Sequence, residues 1–336
     1  MAAAPIGIIA NPASGKDIRR LVAHASVFDN QEKRSIVRRA ILGAVAAGAD
    51  RFFFMPDPHL IVEQALEGLG VEAAFEPVDS PRTGSAIDTT RSAALMREAG
   101  CAPVITLGGD GTNRAAAKAW RDIPLVAIST GTNNVFPRMM EATIAGAAAG
   151  LVASGAIALD DVAQQAKTVH VRVEGGPEDL ALIDAVLLDE PFVGAKAVWQ
   201  PTRLRTLVLA RAEPAAVGLS AIGGLLAPVS AREDAGLLVH AGVGGDELLA
   251  PIAPGLFEPV PIVSCRRLAL GEAVEFEGPG VIALDGEREV TLHRGQRAQL
   301  SVLRDGPFVI DVARTLSLAA CRGLFRLSPN GGTDAR

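Results

Sequence analysis

Gly108-Gly109-Asp110-Gly111-Thr112 places three glycines around a single carboxylate. Glycine lets the backbone turn sharply and lets a bulky anion approach the main-chain N–H groups. The apolar run Pro103-Val104-Ile105-Thr106-Leu107 before it reads as a buried parallel strand. The Ala-rich segment opening with Asn113 has strong helix propensity. The motif therefore sits on a strand-to-helix turn, where the helix start adds a partial positive charge suited to phosphate. A carboxylate there repels a phosphate unless a cation or an incoming hydroxyl lies between them. That combination points to phosphoryl transfer, with Asp110 as the catalytic group facing the nucleophile or a metal. Gly108, Gly109, Gly111, Thr112 and Asn113 are expected to cradle the phosphates.

Two further loops belong with it. Asn11-Pro12-Ala13-Ser14-Gly15-Lys16-Asp17 follows the first apolar run. It lacks the GxxxxGK[ST] spacing: Ala10 stands where a glycine is needed and Asp17 where a hydroxyl is needed. Alone it is an ordinary strand-to-helix turn. Beside the glycine–Asp motif it reads as a short phosphate loop using Asn11, Ser14, Gly15 and Lys16. The third loop is Ser129-Thr130-Gly131-Thr132-Asn133-Asn134. Helix capping accounts for one or two such residues, not for six in a row. Thr130, Gly131, Thr132, Asn133 and Asn134 are expected to hydrogen-bond ribose or phosphate.

Positioning these loops requires repeated βα units. Strands are expected over residues 6–9, 51–55, 71–75, 104–107 and 125–128. Helices are expected over 32–47, 59–69 and 84–99, after the glycine motif, and after the last of these strands. Such alternation implies a parallel sheet of Rossmann type with helices on both faces, its ligands beyond the carboxyl ends of the strands. After residue 165 short alternating runs separated by turn residues predict an all-β sandwich of antiparallel sheets. The division expected is 1–160 for the α/β nucleotide-binding domain and 161–312 for the β-sandwich substrate domain. A C-terminal segment, 313–336, packs back on the first domain and frays at Ser328-Pro329-Asn330-Gly331-Gly332.

Composition narrows the partners. With 336 residues and 49% hydrophobic content the chain has material for two cores. The formal charge is −6 without a Lys/Arg block, which argues against nucleic acid. Three scattered cysteines and five scattered histidines show no metal spacing. No signal-peptide pattern opens the sequence, so a cytoplasmic protein is expected. The apolar stretch 144–159 is too short and too rich in Ala and Gly to span a bilayer, and reads as a helix packed closely on a sheet.

The three loops together resemble the superfamily of NAD kinases, diacylglycerol kinases and sphingosine kinases. Leu219-Ser220-Ala221-Ile222-Gly223-Gly224 is similar to that superfamily's Ser/Gly-Gly substrate loop, and Leu284-Asp285-Gly286-Glu287 to its late Asp-Gly hairpin. The likeness is to an ATP-NAD kinase-like branch, the acetoin-catabolism protein X type, above all over residues 128–145. It implies an ATP- and Mg²⁺-dependent kinase acting on a hydroxyl of NAD or a related acceptor, hence a place in NADP biosynthesis. It also implies a homo-oligomer, dimer or tetramer, and an acceptor site at Asp184, Ser220, Gly223, Gly224 and Asp285. Asp285-Gly286 is first of all a hairpin-turn pair. The chain departs from NAD kinases in two places. Ile183-Asp184 stands where they carry Asn-Glu, and the chain has no tyrosine. A lipid or small-polyol kinase of the diacylglycerol kinase type is one alternative. A non-catalytic NAD(H)- or ATP-binding protein linked to acetoin catabolism is the other.

Overall fold

The computed structural model describes residues 3–15, 29–131, 133–176, 178–190 and 201–326. The first half alternates β1 (Ile6–Ala10), α1 (Asn30–Ala46), β2 (Arg51–Phe54), α2 (Ile61–Leu66), β3 (Ala74–Pro77) and α3 (Ala86–Glu98). It continues with β4 (Val104–Gly108), α4 (Asp110–Ala119), β5 (Pro124–Ser129), α5 (Ala142–Ala153), α6 (Leu159–Val162) and β6 (Ala163–Gln165). The sheet order is β3-β2-β1-β4-β5-β17-β6, where β17 (Phe308–Ile310) arrives from the far end of the chain. Every pairing from β3 to β17 is parallel, and only β6 runs against its neighbour.

Apolar side chains cover both faces of this sheet. Ile8, Ile105 and Val126 meet α1 and α5 on one face; Ile9, Val104 and Leu125 meet α3 and α4 on the other. The Ala/Gly-rich stretch that superficially resembled a membrane segment is α5. Its Gly146 and Gly150 lie against the Ala40 and Ala44 carbonyls of α1, so a Cβ at either would collide with backbone. No helix among the described residues is long and apolar enough to cross a membrane.

The second half is antiparallel. It comprises β7 (Thr168–Val173), β8 (Glu178–Ala181), β9 (Asp184–Leu188), β10 (Leu204–Leu209), α7 (Leu219–Leu226), β11 (Ala235–Ala253) and β12 (Leu256–Ala269). Then follow β13 (Val274–Glu277), β14 (Gly280–Leu284), β15 (Glu287–Leu292) and β16 (Arg297–Leu303). One sheet has the order β12-β11-β10-β9-β14-β15 and the other β13-β16-β7-β8. Val169, Leu187, Val208, Ile282 and Leu300 fill the space between them. After β17, α8 (Val312–Cys321) returns to the first sheet and adds Ala319 to the core beneath α5.

Four expectations shift. The third strand lies at 74–77 rather than 71–75, and α2 is shorter than the 59–69 expected for it. β11 and β12 form a long hairpin where only short runs were expected, because Gly242, Gly244, Gly245, Pro251, Pro259 and Pro261 break the alternating pattern. The segment read as a Ser/Gly-Gly loop is the helix α7. The frayed tail expected at 328–332 lies outside the described residues.

Candidate active site

The loop after β1 is shaped by a residue the sequence reading did not single out. Lys33 of α1 is fully buried, and its Nζ donates to the carbonyls of Asn11 (3.0 Å), Pro12 (3.0 Å) and Ser14 (2.7 Å). Drawing three carbonyls inward curls the loop around one ammonium. A signal was present: helical spacing puts Lys33 on the same buried stripe as Ile36, Val37 and Ala40. The loop is also tied sideways. Asn11 Nδ2 donates to Thr112 Oγ1 at 2.8 Å, and Thr130 Oγ1 donates to Ser14 Oγ at 3.0 Å. The three predicted loops are thus one hydrogen-bonded unit. Lys16 lies outside the described residues, as does Thr132 of the third loop.

At the glycine turn, α4 begins at Gly109, which offers no side-chain cap. α1, α3, α5 and α8 by contrast are capped by Asp29, Ser85, Glu141 and Asp311. The Asp110 carboxylate turns toward the third loop. It accepts from Phe136 N at 2.7 Å and from Val135 N at 3.1 Å. Burial raises the Asp110 carboxyl to about 7, with the nearby Asp285 charge adding to the rise. The two loop N–H groups and Arg211 oppose it.

Several predicted phosphate ligands are structural instead. Asn113 is buried, accepting from Thr106 Oγ1 at 2.7 Å and donating to the Gly109 carbonyl at 2.9 Å, so it braces the turn from behind. Gly108 makes room for the Thr112 side chain. Thr130 is fully buried, and the Gly131 carbonyl accepts from Ser129 Oγ at 2.6 Å. These four do not line the cleft. Asn11, Ser14, Gly15, Gly109, Gly111, Thr112, Asn133 and Asn134 do.

The cleft, about 940 Å³, is closed from the other side by the second half of the chain. Asp285 sits at the β14–β15 turn with φ +50, followed by Gly286 with φ +77. Its carboxylate reaches back to the β8–β9 corner and accepts from Leu182 N (3.0 Å), Ile183 N (2.8 Å) and Asp184 N (3.3 Å). A turn residue therefore fixes the backbone that carries Asp184, which is buried and lines the cleft. Ser220 lines it too, with its Oγ donating to the Arg211 carbonyl at 3.0 Å.

Gly223 and Gly224 correct the sequence reading. A Cβ at Gly223 would strike Leu209, and one at Gly224 the Glu213–Pro214 backbone. They let α7 lie close on β10 and on the backbone that follows it, and neither lines the cleft. Residues 84–87 and 89–91 at the start of α3 do line it, though no residue type there announces it. Arg114 also went unnoticed. It is buried, donates through Nε to the Leu180 carbonyl at 2.6 Å, and pairs with Asp179 (3.0 Å) and Glu289 (3.2 Å), clamping α4 to the second half. An arginine inside an Ala-rich helix was the available sign.

The glycine turn thus stands at the carboxyl edge of a 3-2-1-4-5 parallel sheet and faces the antiparallel sheets. Residues 6–157 match the ATP-NAD kinase N-terminal domain. Residues 167–305 match the acetoin catabolism protein X C-terminal domain. The chain is 37% identical to acetoin catabolism protein X of Cupriavidus necator, over 96% of this chain and 94% of that one. It belongs to the acetoin catabolism protein X family. Its fold is similar to that of yeast NADH kinase in complex with NADH, with a TM-score of 0.56 at 10% identity, covering 99% of this chain and 91% of that one. An NAD kinase from Archaeoglobus fulgidus in complex with ATP aligns over 80% of this chain and 96% of that one, at 17% identity and a TM-score of 0.42.

Proposed function

We propose that the cleft binds ATP across the glycine turn and transfers its γ-phosphate to a hydroxyl of NAD or a related acceptor held toward Asp184. The observation that carries this reading is Asp110. It is a carboxylate fixed by two backbone N–H groups at an uncapped helix start, with an affinity for protons raised to about 7. A base of that strength is matched to neutral pH. In the step proposed, the acceptor oxygen forms a bond to the γ-phosphorus, the bond to the β–γ bridging oxygen breaks, and ADP leaves. The hydroxyl proton passes to an Asp110 oxygen. Such transfer needs chiefly positioning and charge stabilisation. The N–H groups at the start of α4 and the Lys33-bound loop are placed to supply the positioning.

Mg²⁺ fits this donor set as an ion carried in by the triphosphate. Among the described residues no cluster of three or more His, Cys, Asp or Glu could enclose a metal. Mg²⁺ bound to phosphates keeps several waters and needs only one or two carboxylates. Glu287, which stands over Gly111, is a carboxylate that would hold it. It would neutralise phosphate charge.

A second acceptor class is favoured by one observation. Leu204, Val217, Leu219, Ile222 and Ile252 form an apolar wall on the acceptor side of the cleft, which suits a lipid or a small polyol with an aliphatic part. One assay addresses both. The purified protein is incubated with γ-labelled ATP and, separately, NAD, NADH, diacylglycerol, a sphingoid base or a small diol. Label is expected in one acceptor, and Asp110→Asn is expected to lower that turnover by roughly 100-fold or more while ATP affinity holds. Calorimetric binding of ATP without transfer to any acceptor would replace the kinase by a nucleotide-binding protein.

A further inference from the structure

The β11–β12 hairpin reaches well beyond the sheet it belongs to. β10 pairs only with residues 237–240 of β11, so residues 246–262 continue as a two-stranded ribbon. In an antiparallel ladder, directly opposite residues share a face, and the faces alternate along each strand. One face of the ribbon, with Ala250, Val260 and Ile262, is buried in the cluster that holds Ile222 of α7. The other carries the pairs Leu249–Pro259 and Pro251–Phe257, with Pro261 opposite Glu247. Leu249 is 63% exposed and Phe257 59%. Where the register shifts beyond this face, Val263 and Val243 are 58% and 103% exposed.

Single exposed apolar side chains are ordinary, but these are gathered on one ribbon. Leu249, Phe257, Val263 and Val243 alone expose on the order of 500 Å², a size at which apolar patches mark interaction sites. Three observations choose the occupant. β12 is the outermost strand of its sheet, yet Pro259 and Pro261 lack the N–H an added strand would need, so a partner meets the face and not the edge. The carboxylates on the ribbon, Asp246, Glu247 and Glu258, repel nucleic acid and anionic lipid. The exposed ladder offers one charged side chain, Glu247, and otherwise only apolar ones, so it complements a surface as apolar as itself.

We propose that a second copy of this chain docks here, ribbon face on ribbon face, about a two-fold axis through the Leu249–Pro259 pair. A two-fold contact uses the same patch on both copies, and this patch is self-complementary. With the ribbons antiparallel, Leu249 lies over its counterpart and each Glu247 over the partner's Pro251. The two Glu247 side chains are then roughly 14 Å apart along the ribbon, beyond strong repulsion at physiological salt. Two such faces cover on the order of 1,000 Å², enough for a specific pair. The pairing also bears on the cleft. Ile252, on the inner face of the ribbon, lines it, and the Pro251 carbonyl accepts from Gly218 N at 2.8 Å. A copy seated on the outer face therefore braces one wall of the cleft.

The test weighs the full chain by sedimentation velocity at micromolar concentration. The parent is expected at an even multiple of 34.7 kDa. Leu249→Glu and Leu249→Lys each set like charges face to face, and each alone should at least halve that mass with circular dichroism unchanged. An equimolar mixture of the two sets Glu over Lys and should restore the pair. A parent of single-chain mass, an undiminished mass in either folded variant, or a mixture that stays dissociated overturns the proposal. A monomeric parent that floats with phosphatidylcholine vesicles would make the face a lipid contact, which overturns it too. Should the Leu249 variants not fold, Phe257→Ser takes their place under the mass criterion. If that variant also fails to fold, the face serves the fold and the proposal falls. None of these readouts depends on turnover, so the kinase reading stands or falls separately.

Discussion

Two glycine-bearing helices flank the cleft, and they use glycine in opposite ways. At the start of α4 a Cβ on Gly111 would meet nothing closer than Glu287 Oε1, at 3.6 Å. The absent side chain there leaves open space in the cleft. In α7 the absent side chains of Gly223 and Gly224 are replaced by protein, Leu209 on one and the Glu213–Pro214 backbone on the other. The first kind of glycine leaves room in the cleft and the second admits neighbouring protein. Sequence similarity to a substrate loop does not distinguish them; packing does.

The sharpest way to break this contrast is to fill both spaces. Gly224→Val forces a branched side chain into backbone and should cost about 3 kcal/mol or more of stability, read from urea unfolding. A well-folded Gly224→Val would mean that α7 can lift away from the Glu213–Pro214 backbone. Asp110→Asn should have a smaller and pH-dependent effect. A carboxyl raised in the native state is destabilising where it is ionised, so parent stability falls as pH climbs from 3.8 through about 7. The Asn variant lacks that slope. The two proteins should melt alike near pH 4, and the variant should lead by on the order of 1 kcal/mol at pH 8, after its weaker hydrogen bonding is counted. A gap that does not change with pH would place the carboxylate in a water-like setting. Gly111→Val should have the smallest effect on folding, within about 0.5 kcal/mol, because valine and glycine are both poor helix formers. Yet it should weaken ATP binding roughly tenfold by blocking approach to the N–H groups. If calorimetry finds ATP affinity intact, the phosphates bind elsewhere and the contrast between the two helices loses its functional half.

Most of the parallel sheet was legible because buried strands such as 104–107 and 125–128 are apolar throughout and are separated by Ala-rich helices. The three loops were legible because glycine, hydroxyl and amide residues cluster at the strand ends. What stayed hidden depended on tertiary contact. Asn113 and Thr130 have ligand-like side chains, and only packing reveals that they face inward. Arg211 is distant in sequence from Asp110, so no local pattern could join them. The long β11–β12 hairpin was obscured by its own prolines and glycines, which short-window alternation treats as breaks. Asp285 read correctly as a turn residue, but its reach across to Leu182, Ile183 and Asp184 spans about a hundred residues of chain.

The insertion of β17 between β5 and β6 has a consequence for how the molecule is made. β5 gains its outer partner, and β6 its only one among the described residues, from residues 308–310. As the polypeptide leaves the ribosome, the leading half emerges with a strand edge on β5 that no other described strand of that half closes. It must wait for the whole antiparallel region to be synthesised before its sheet is complete. Long-range pairing of this kind slows folding and leaves a template for intermolecular strand association in the interval. The nascent chain is therefore most exposed to chaperones and to self-association during synthesis of residues 166–307, and the arrival of residues 308–310 ends that exposure.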